Sequence, residues 1–258
     1  MKRLFGMAAG FAMLTNAQAQ LHTETVEYKQ DDTTLEGYLA YDETVKGTRP
    51  GVLVVHDWMG CDSYAKTRAD QLAKLGYVAF AADIYGKGVR PKNPREAGAQ
   101  AAKYKGDRPL LRGRVNAALD VLKKQPQCDP KRVAAIGYCF GGTTVLELAR
   151  SGADIAGVVT FHGGLDTPTR DAKNIKCKVL ICHGADDPYV PAADVAALQE
   201  EFRTAGVDWQ MIYYSGAVHS FTRPDSGNDN SKGAAYNECA DKRSWEAMKT
   251  FFAEIFRQ

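Results

Sequence analysis

The chain has 258 residues, of which 45% are hydrophobic and 25% are charged, so it is long enough for one substantial core and short for two ordinary domains. Its 33 basic residues nearly balance its 31 acidic residues. The chain therefore lacks the excess of positive charge that is typical of proteins that bind nucleic acid or anionic membranes. We therefore expect one α/β domain without a nucleic-acid partner.

The first residues differ from the rest of the chain. Met1-Lys2-Arg3 is basic, residues 4–14 are mostly apolar, and Ala17-Gln18-Ala19 offers a small-x-small cleavage site. This pattern is typical of a bacterial secretory signal peptide, and its apolar run is too short to span a membrane. A buried N-terminal helix is the alternative. We expect removal of residues 1–19, a periplasmic or secreted protein, and a mature domain over residues 20–258 without stable membrane insertion.

The six cysteines are too few for a disulfide scaffold, although export permits disulfides. Cys182 lies in an apolar run, which indicates a buried free thiol. If a bridge forms, we expect it between Cys61 and Cys239, because both are predicted in loops at the same end of the sheet as Cys139. Sequence spacing leaves the pairing open among Cys61, Cys128, Cys177 and Cys239.

Periodicity divides the chain into strands and helices. Residues 23–29 and 34–41 alternate polar and apolar side chains, which predicts an antiparallel hairpin at a sheet edge. Later apolar runs predict buried strands and segments of helical period predict helices, with strands at 51–56, 77–83, 132–136, 155–162, 178–183 and 208–214 and helices at 63–75, 111–124, 143–150, 192–204 and 241–256. Residues 84–106 contain prolines at 91 and 94, and we predict that they wander over the surface beside the active end.

The alternation of strands and helices after an antiparallel lead-in predicts a mostly parallel sheet with helices on both faces. Right-handed crossovers bring the carboxyl ends of the parallel strands to one edge. Ligands of open sheets bind at that edge.

The stretch Gly137-Tyr138-Cys139-Phe140-Gly141-Gly142 lies between a predicted strand and a predicted helix. A strand, a sharp glycine-flanked turn and a helix around one nucleophilic residue are typical of a nucleophile elbow. Gly137 and Gly141 leave room for the strained backbone of the central residue. Cys139 is then expected at a helix N-terminus, where the helix dipole favours its thiolate.

Two loops supply an acid and a base. Asp186 and Asp187 follow the predicted strand at 178–183, and His219 follows the last predicted strand. The chain order of nucleophile, acid and histidine is the order expected of an α/β-hydrolase. Turn chemistry, together with the resemblance described below, favours Asp187 as the acid and Asp186 as a turn residue. His56, His162 and His183 also sit at strand ends, as structural or pocket-lining residues, and His22 is expected to be inert.

Backbone amides are expected to build an oxyanion hole. We predict the N–H of Phe140, directly after Cys139, and that of Trp58, in the loop after the first buried strand. The Trp58 side chain could also simply pack in the wall of the site, and this role is compatible with an oxyanion donor at the Trp58 backbone N–H. The histidines are too dispersed for a metal-ligand motif, so we expect no metal and no organic cofactor.

Three motifs, the elbow, Asp187-Pro188-Tyr189-Val190-Pro191 and residues 216–223, resemble those of the dienelactone hydrolase family (carboxymethylenebutenolidases) of α/β-hydrolases. The resemblance spans roughly residues 25–257. It implies an α/β-hydrolase fold with Cys139 as nucleophile, His219 as base and Asp187 as orienting acid.

The resemblance also implies substrate contacts. Arg223 matches the arginine that holds the substrate carboxylate. Asp57 stands where the family has an acidic residue that hydrogen-bonds the resting thiol, but it is one methylene shorter than glutamate. Lys87 stands where the family has a second carboxylate-binding arginine, and a lysine lacks the bidentate fork. These departures and the export signal argue against dienelactone itself as the substrate.

Together these features predict a monomeric, cysteine-dependent hydrolase of small, carboxylate-bearing esters or lactones that works through a thioester intermediate. A general short-chain carboxylesterase is one alternative. The other is a non-hydrolytic envelope protein with a redox-sensitive thiol at Cys139.

Overall fold

A computed structural model describes residues 19–257, so the predicted signal peptide lies, apart from Ala19, outside the described residues. The strands are β1 (Leu21–Gln30), β2 (Thr33–Asp42), β3 (Arg49–Val55), β4 (Val78–Ala82), β5 (Cys128–Tyr138), β6 (Gly157–Phe161), β7 (Lys178–Gly184) and β8 (Trp209–Tyr214). The helices are α1 (Ser63–Lys74), α2 (Pro94–Gly106), α3 (Arg108–Lys123), α4 (Phe140–Arg150), α5 (Ala192–Ala205) and α6 (Glu238–Ile255).

All eight strands join one mixed sheet in the order β1-β2-β4-β3-β5-β6-β7-β8. β2 pairs antiparallel with both β1 and β4, and every later pair of neighbours is parallel. The hairpin of β1 and β2 therefore forms one edge, as its alternating sequence predicts. The carboxyl ends of the parallel strands meet at one end of the sheet, and the loops that follow them form that end.

Apolar layers cover both faces of the sheet. Leu53 and Val55 of β3 face a core that contains residues of α3, α4 and α5, whereas Val52 and Val54 face a core that contains residues of α1 and α6. A central strand that is covered on both faces must be apolar at every position, which explains the continuous hydrophobic runs in the sequence. β4 and β6 are buried along their whole lengths for the same reason.

One predicted element is wrong, because residues 94–106 form helix α2 rather than an irregular surface segment. The Asn93 side chain accepts a hydrogen bond from the N–H of Glu96, and Pro94 occupies the first turn. Both features are start signals of a helix, since a proline at the first position lacks only an N–H that has no helical acceptor. The sequence therefore contains both start signals, and Pro94 begins a helix instead of interrupting one.

The proposed bridge between Cys61 and Cys239 does not form, and all six cysteines are free. Cys61 is buried, with its sulfur 3.7 Å from the carbonyl oxygen of Ala81, whereas Cys239 is exposed at the start of α6. Cys182 is a buried free thiol, as its apolar run predicts. Among residues 19–257, no helix is long and apolar enough to cross a membrane.

The turn between β5 and α4 depends on glycine because backbone atoms crowd it. A Cβ atom on Gly137 would lie 2.0 Å from the carbonyl oxygen of Gly141. A Cβ atom on Gly141 would lie 2.2 Å from the carbonyl oxygen of Val55 and 2.5 Å from that of His56. Helix α4 can therefore begin directly against β3 and β5 only where side chains are absent.

We expect Gly141→Ala to lower the free energy of unfolding by about 3 kcal/mol, because the added methyl group meets backbone that cannot move aside. Gly98→Ala is the matched control: Gly98 lies in α2, and a Cβ atom there meets nothing within 4 Å. This control should stabilise the protein by about 0.5–1 kcal/mol. Urea unfolding measures both, and equal stabilities of the two variants would contradict the crowding argument.

Candidate active site

Cys139 lies on a strained turn between β5 and α4. Its backbone angles are φ 53° and ψ −113°, a conformation that is costly for a residue with a side chain. The Cys139 N–H is shared between the carbonyl oxygen of Phe161, at 3.0 Å, and Nδ1 of His162, at 3.1 Å. The side chain is half-buried and points from the start of α4 toward the loop after β8, where His219 lies.

A line of three polar side chains starts at Cys139. Its sulfur lies 3.0 Å from Nε2 of His219, and Nδ1 of His219 lies 2.8 Å from a carboxylate oxygen of Asp187. The Asp187 side chain is fully buried, and its other carboxylate oxygen accepts a hydrogen bond from the N–H of Tyr189 at 2.9 Å. The three residues come from three loops at the carboxyl end of the sheet.

Backbone contacts hold the loop of His219 in place. The N–H of His219 donates to the carbonyl oxygen of Gly233 at 3.2 Å, and the N–H of Ala235 donates to that of His219 at 3.0 Å. The Tyr189 ring packs edge-on against the imidazole, with 5.3 Å between ring centroids. Asp186 has a different contact, because its carboxylate accepts from the N–H of Gly216 at 3.0 Å. Asp187 therefore faces the histidine, and Asp186 holds a turn.

Electrostatics favour a protonated imidazole beside the sulfur. Burial alone would lower the pKa of His219, but the charge of Cys139 and the hydrogen bond with Asp187 raise that pKa to about 10. Cys139 and Asp187, on either side of the ring, therefore both favour the charged form of His219.

The amides of Phe140 and Trp58 are the donors expected for an oxyanion hole. Phe140 is the first residue of α4, where an N–H has no acceptor within its own helix. Trp58 follows β3, and its carbonyl oxygen accepts a hydrogen bond from the Tyr85 hydroxyl at 3.2 Å, which fixes the peptide. The Trp58 N–H has no acceptor among residues 19–257. The Trp58 side chain is 37% exposed.

The structure corrects the expectation for Asp57. Its carboxylate pairs with the guanidinium of Arg223 and accepts from the N–H of Met59 at 2.8 Å, whereas His219 occupies the contact with the Cys139 sulfur. Burial raises the pKa of Asp57, and the charge of Arg223 opposes this rise. A buried carboxylate needs a partner, and the guanidinium supplies one.

Arg223, which is expected to hold a substrate carboxylate, already has acidic partners within the protein. Besides Asp57, its guanidinium contacts Asp62 at 3.0 Å and Asp225 at 3.1 Å. Burial alone would lower the pKa of Arg223, but Asp57 and Asp62 raise it. Three carboxylates around one guanidinium leave this cluster with a net negative charge.

Lys87 is a further correction, because its ammonium group pairs with Glu27 on β1. The Lys87 side chain is 47% exposed. The backbone N–H of Lys87 donates to the carbonyl oxygen of Thr34 on β2. Lys87 therefore belongs to the hairpin edge of the sheet, and none of its contacts within residues 19–257 reaches Cys139.

The other histidines take different places. His56 is buried, and its Nε2 accepts from the N–H of Ile84 at 3.2 Å, a structural role. His183 is buried against the ring of Tyr213, and His22 lies on β1 beside Glu43. Of these four histidines, only His162 contacts Cys139. Its position at a strand end in the sequence does not set it apart from the other histidines at strand ends. Within residues 19–257, no three His, Cys, Asp or Glu side chains gather as metal ligands would.

We expect Cys139→Ser to lower the pKa of His219 from about 10, because the charge on Cys139 is the largest of the effects that raise it. Below that pKa the wild-type imidazole is protonated, so at a pH between the titration midpoints of the two proteins the substitution should convert imidazolium into neutral imidazole. A ¹³C-resolved NMR titration of the imidazole Cε1–H signals measures this change, with Cys239→Ser as the matched control at an exposed cysteine. An unchanged His219 titration in Cys139→Ser would contradict the ion pair.

Comparison with known proteins identifies the family of this chain. A sequence model of the dienelactone hydrolase family matches residues 35–256. A solved dienelactone hydrolase-like promiscuous phosphotriesterase from metagenomic libraries is 44% identical, with a TM-score of 0.88 over 92% of this chain and 99% of that one. Hydrolase tropI of Talaromyces stipitatus is 30% identical over 72% of this chain and 76% of its own length. Dienelactone hydrolase from Anabaena variabilis, at 19% identity, shares the fold, with a TM-score of 0.62 over 90% of this chain and 98% of that one. The chain therefore belongs to the dienelactone hydrolase family and is a carboxylic ester hydrolase.

Proposed function

We propose that the protein hydrolyses small esters and lactones with Cys139 as nucleophile, His219 as acid and base, and Asp187 as the residue that orients the imidazole. The observation that carries this proposal is the unbroken contact from the Cys139 sulfur to His219, at 3.0 Å, and on to Asp187, at 2.8 Å. The strained backbone of Cys139 supports it, because strain of this kind is retained where a side chain must be presented to a ligand.

In the first half of the reaction the Cys139 thiolate attacks the carbonyl carbon, and the carbonyl oxygen becomes an oxyanion. The N–H groups of Phe140 and Trp58 donate hydrogen bonds to that oxygen. When the tetrahedral intermediate collapses, the carbon–oxygen bond of the leaving group breaks and a thioester remains on Cys139. The leaving alkoxide takes the proton of the His219 imidazolium. An enolate can leave without that proton, and the imidazolium then releases it to solvent, so His219 is a neutral imidazole at the end of either route.

In the second half the neutral imidazole of His219 accepts a proton from a water molecule as that water attacks the thioester. The carbon–sulfur bond then breaks, which releases the carboxylic acid and restores the thiolate. Asp187 accepts a hydrogen bond from Nδ1 of His219 in both halves, so Nε2 stays aimed at the sulfur and at the attacking water.

The charges near the site favour an uncharged substrate over the carboxylate-bearing one that the sequence suggests. Arg223 is already surrounded by Asp57, Asp62 and Asp225, and Lys87 pairs with Glu27. A substrate carboxylate would have to displace one of these acids and would meet the repulsion of the others. A general short-chain carboxylesterase activity fits this charge distribution.

Phosphotriesters are a second candidate substrate class. The solved relative at 44% identity is described as a promiscuous phosphotriesterase. A phosphotriester is an uncharged ester, so it meets the same charge requirement, and the negative charge that develops on its phosphoryl oxygen could accept from the proposed oxyanion donors, the amides of Phe140 and Trp58.

We also propose that residues 1–19 direct export of the chain, on the basis of the basic, apolar and small-residue segments of that sequence. An exported cysteine nucleophile meets oxidants, so the activity should require a reductant after exposure to air. Mass spectrometry of the protein purified from the periplasm or medium tests the export, with Gln20 expected as the first residue. An intact Met1 in the folded, exported protein would contradict it.

Hydrolysis of p-nitrophenyl acetate by the reduced protein should depend on Cys139. We expect Cys139→Ala and His219→Ala each to lower kcat/KM by about 10³-fold or more, because nucleophile and base act as a unit. Cys239→Ser is the control, since it removes an exposed thiol on α6 and should leave the rate unchanged. Turnover that survives in Cys139→Ala, or no turnover on any small ester, would overturn the proposal in favour of a thiol with a non-hydrolytic role.

Selectivity for uncharged substrates should follow from the acids around Arg223. We expect kcat/KM for mono-p-nitrophenyl succinate to be about tenfold below that for p-nitrophenyl butyrate at low salt, because the first carries a carboxylate. Asp62→Asn should reduce the ratio of the two kcat/KM values about threefold, because it removes one negative charge. The asparagine can still cap α1, as Asp62 does in the wild type. Asp120→Asn removes an exposed charge on α3 and serves as the control. A preference for the succinate ester would contradict the argument.

A further inference from the structure

We propose that His162 is a positioning residue that ties the main chain of the nucleophile to the loop of the base. It lies directly after β6, outside the line of Cys139, His219 and Asp187, and it contacts the elements that carry two of those residues. This inference rests on the proposed function, because it concerns how Cys139 and His219 are held together.

The first contact of His162 is with the nucleophile itself. Nδ1 of its ring accepts a hydrogen bond from the N–H of Cys139 at 3.1 Å. An imidazole nitrogen that accepts cannot carry a proton, so the proton of the neutral ring is on Nε2. The contact therefore selects one tautomer of His162 and supports the strained turn at Cys139.

The second contact is with the loop of the base. Nε2 of His162 lies 2.7 Å from the hydroxyl oxygen of Thr222, three residues after His219. With the proton on Nε2, the imidazole donates and the hydroxyl accepts. One ring thus accepts from the turn that presents the sulfur and donates to the loop that presents the imidazole of His219.

Thr222 is in turn held by the rest of the fold. Its hydroxyl oxygen lies 2.7 Å from the Tyr64 hydroxyl oxygen, and its carbonyl oxygen accepts from the Arg68 guanidinium at 2.8 Å. Arg68 also pairs with Asp241 on α6 at 2.6 Å. Because α1 and α6 hold Thr222, the loop of His219 cannot shift relative to His162 without breaking buried hydrogen bonds.

The ring of His162 also fills the space beside His219. Its centroid is 5.3 Å from that of His219 and 5.1 Å from that of Phe221. The backbone of His162 has φ 41°, a left-handed conformation that is uncommon for a residue with a side chain. As at Cys139, the fold maintains a strained residue where a functional contact requires it.

The role requires a neutral ring. Burial, and then the charge of His219, lower the pKa of His162 well below its ordinary value. The titratable groups that face the ring are Cys139, His219, Tyr138 and Arg68. Protonation of Nδ1 would replace the acceptor for the Cys139 N–H with a second donor and would place two cations side by side.

The test compares Thr222→Val, which removes the hydroxyl but keeps the shape, with Thr222→Ser, which keeps the hydroxyl. A second variant, His162→Asn, keeps an acceptor near the place of Nδ1 and tolerates a positive φ, but its side chain is too short to reach Thr222. Two quantities are measured for the reduced full-length protein: kcat and KM for p-nitrophenyl acetate, and the rate at which iodoacetamide alkylates Cys139 at pH 7. Mass spectrometry of the Cys139 peptide separates this rate from that of the exposed Cys239.

We expect Thr222→Val and His162→Asn to lower kcat by about 10–100-fold with KM within about threefold, because the loss affects alignment and not binding. Alkylation of Cys139 should slow in both variants, since a longer contact with His219 stabilises less thiolate. Thr222→Ser should recover most of both rates.

Equal kcat values and equal alkylation rates for Thr222→Val and Thr222→Ser would overturn the inference. A variant whose kcat falls while Cys139 is alkylated at the wild-type rate would also overturn it. If Thr222→Val does not fold, His162→Asn gives the same comparison against the wild type. The alkylation rate does not depend on ester turnover. If the wild-type protein hydrolyses no ester, the proposed function is refuted. The alkylation rates of the variants would still support or refute the positioning role of His162.

Discussion

The close approach of backbone at the turn between β5 and α4 is the constraint on which the candidate site depends. With no Cβ atoms at Gly137 and Gly141, helix α4 begins against the main chain of β3 and β5. Cys139 then has to adopt a positive φ, and its sulfur points away from the sheet toward the loop that follows β8. The first N–H of α4, that of Phe140, directly follows Cys139, so the proposed nucleophile and one proposed oxyanion donor lie on the same turn.

Charge is arranged in two separate groups around this turn. In the first, the imidazole of His219 lies between the sulfur of Cys139 and the carboxylate of Asp187. In the second, Arg223 neutralises the buried carboxylate of Asp57. Because Arg223 contacts three carboxylates, the cluster around it carries more negative than positive charge, and the side chain in contact with the Cys139 sulfur is His219. This separation links the chemistry at sulfur to the choice of substrate.

Histidines show what periodicity and motif order can decide. His56, His162 and His183 each end a predicted strand, His219 follows one, and only His219 comes after the nucleophile and the acid in a loop that suits the base. The contact of His162 with Cys139 depends on β5 and β6 being neighbours and on the loop of Thr222 folding back over both. No local spacing encodes that contact, since Cys139 and His162 are 23 residues apart and Thr222 is 60 residues further on.

By itself, the sequence determined the class of fold, most of its elements and the identity of the three residues in line at the site. It could do so because buried strands must be apolar, helices must repeat every 3.6 residues, and an elbow needs glycines around its nucleophile. Only the tertiary structure decided the partners of the charged groups. Asp57 pairs with Arg223 and not with the thiol, and Lys87 pairs with Glu27 and does not reach the site. An ion pair is set by which side chains the folded backbone brings within reach, and residues as far apart as Asp57 and Arg223 meet only after the whole sheet has formed.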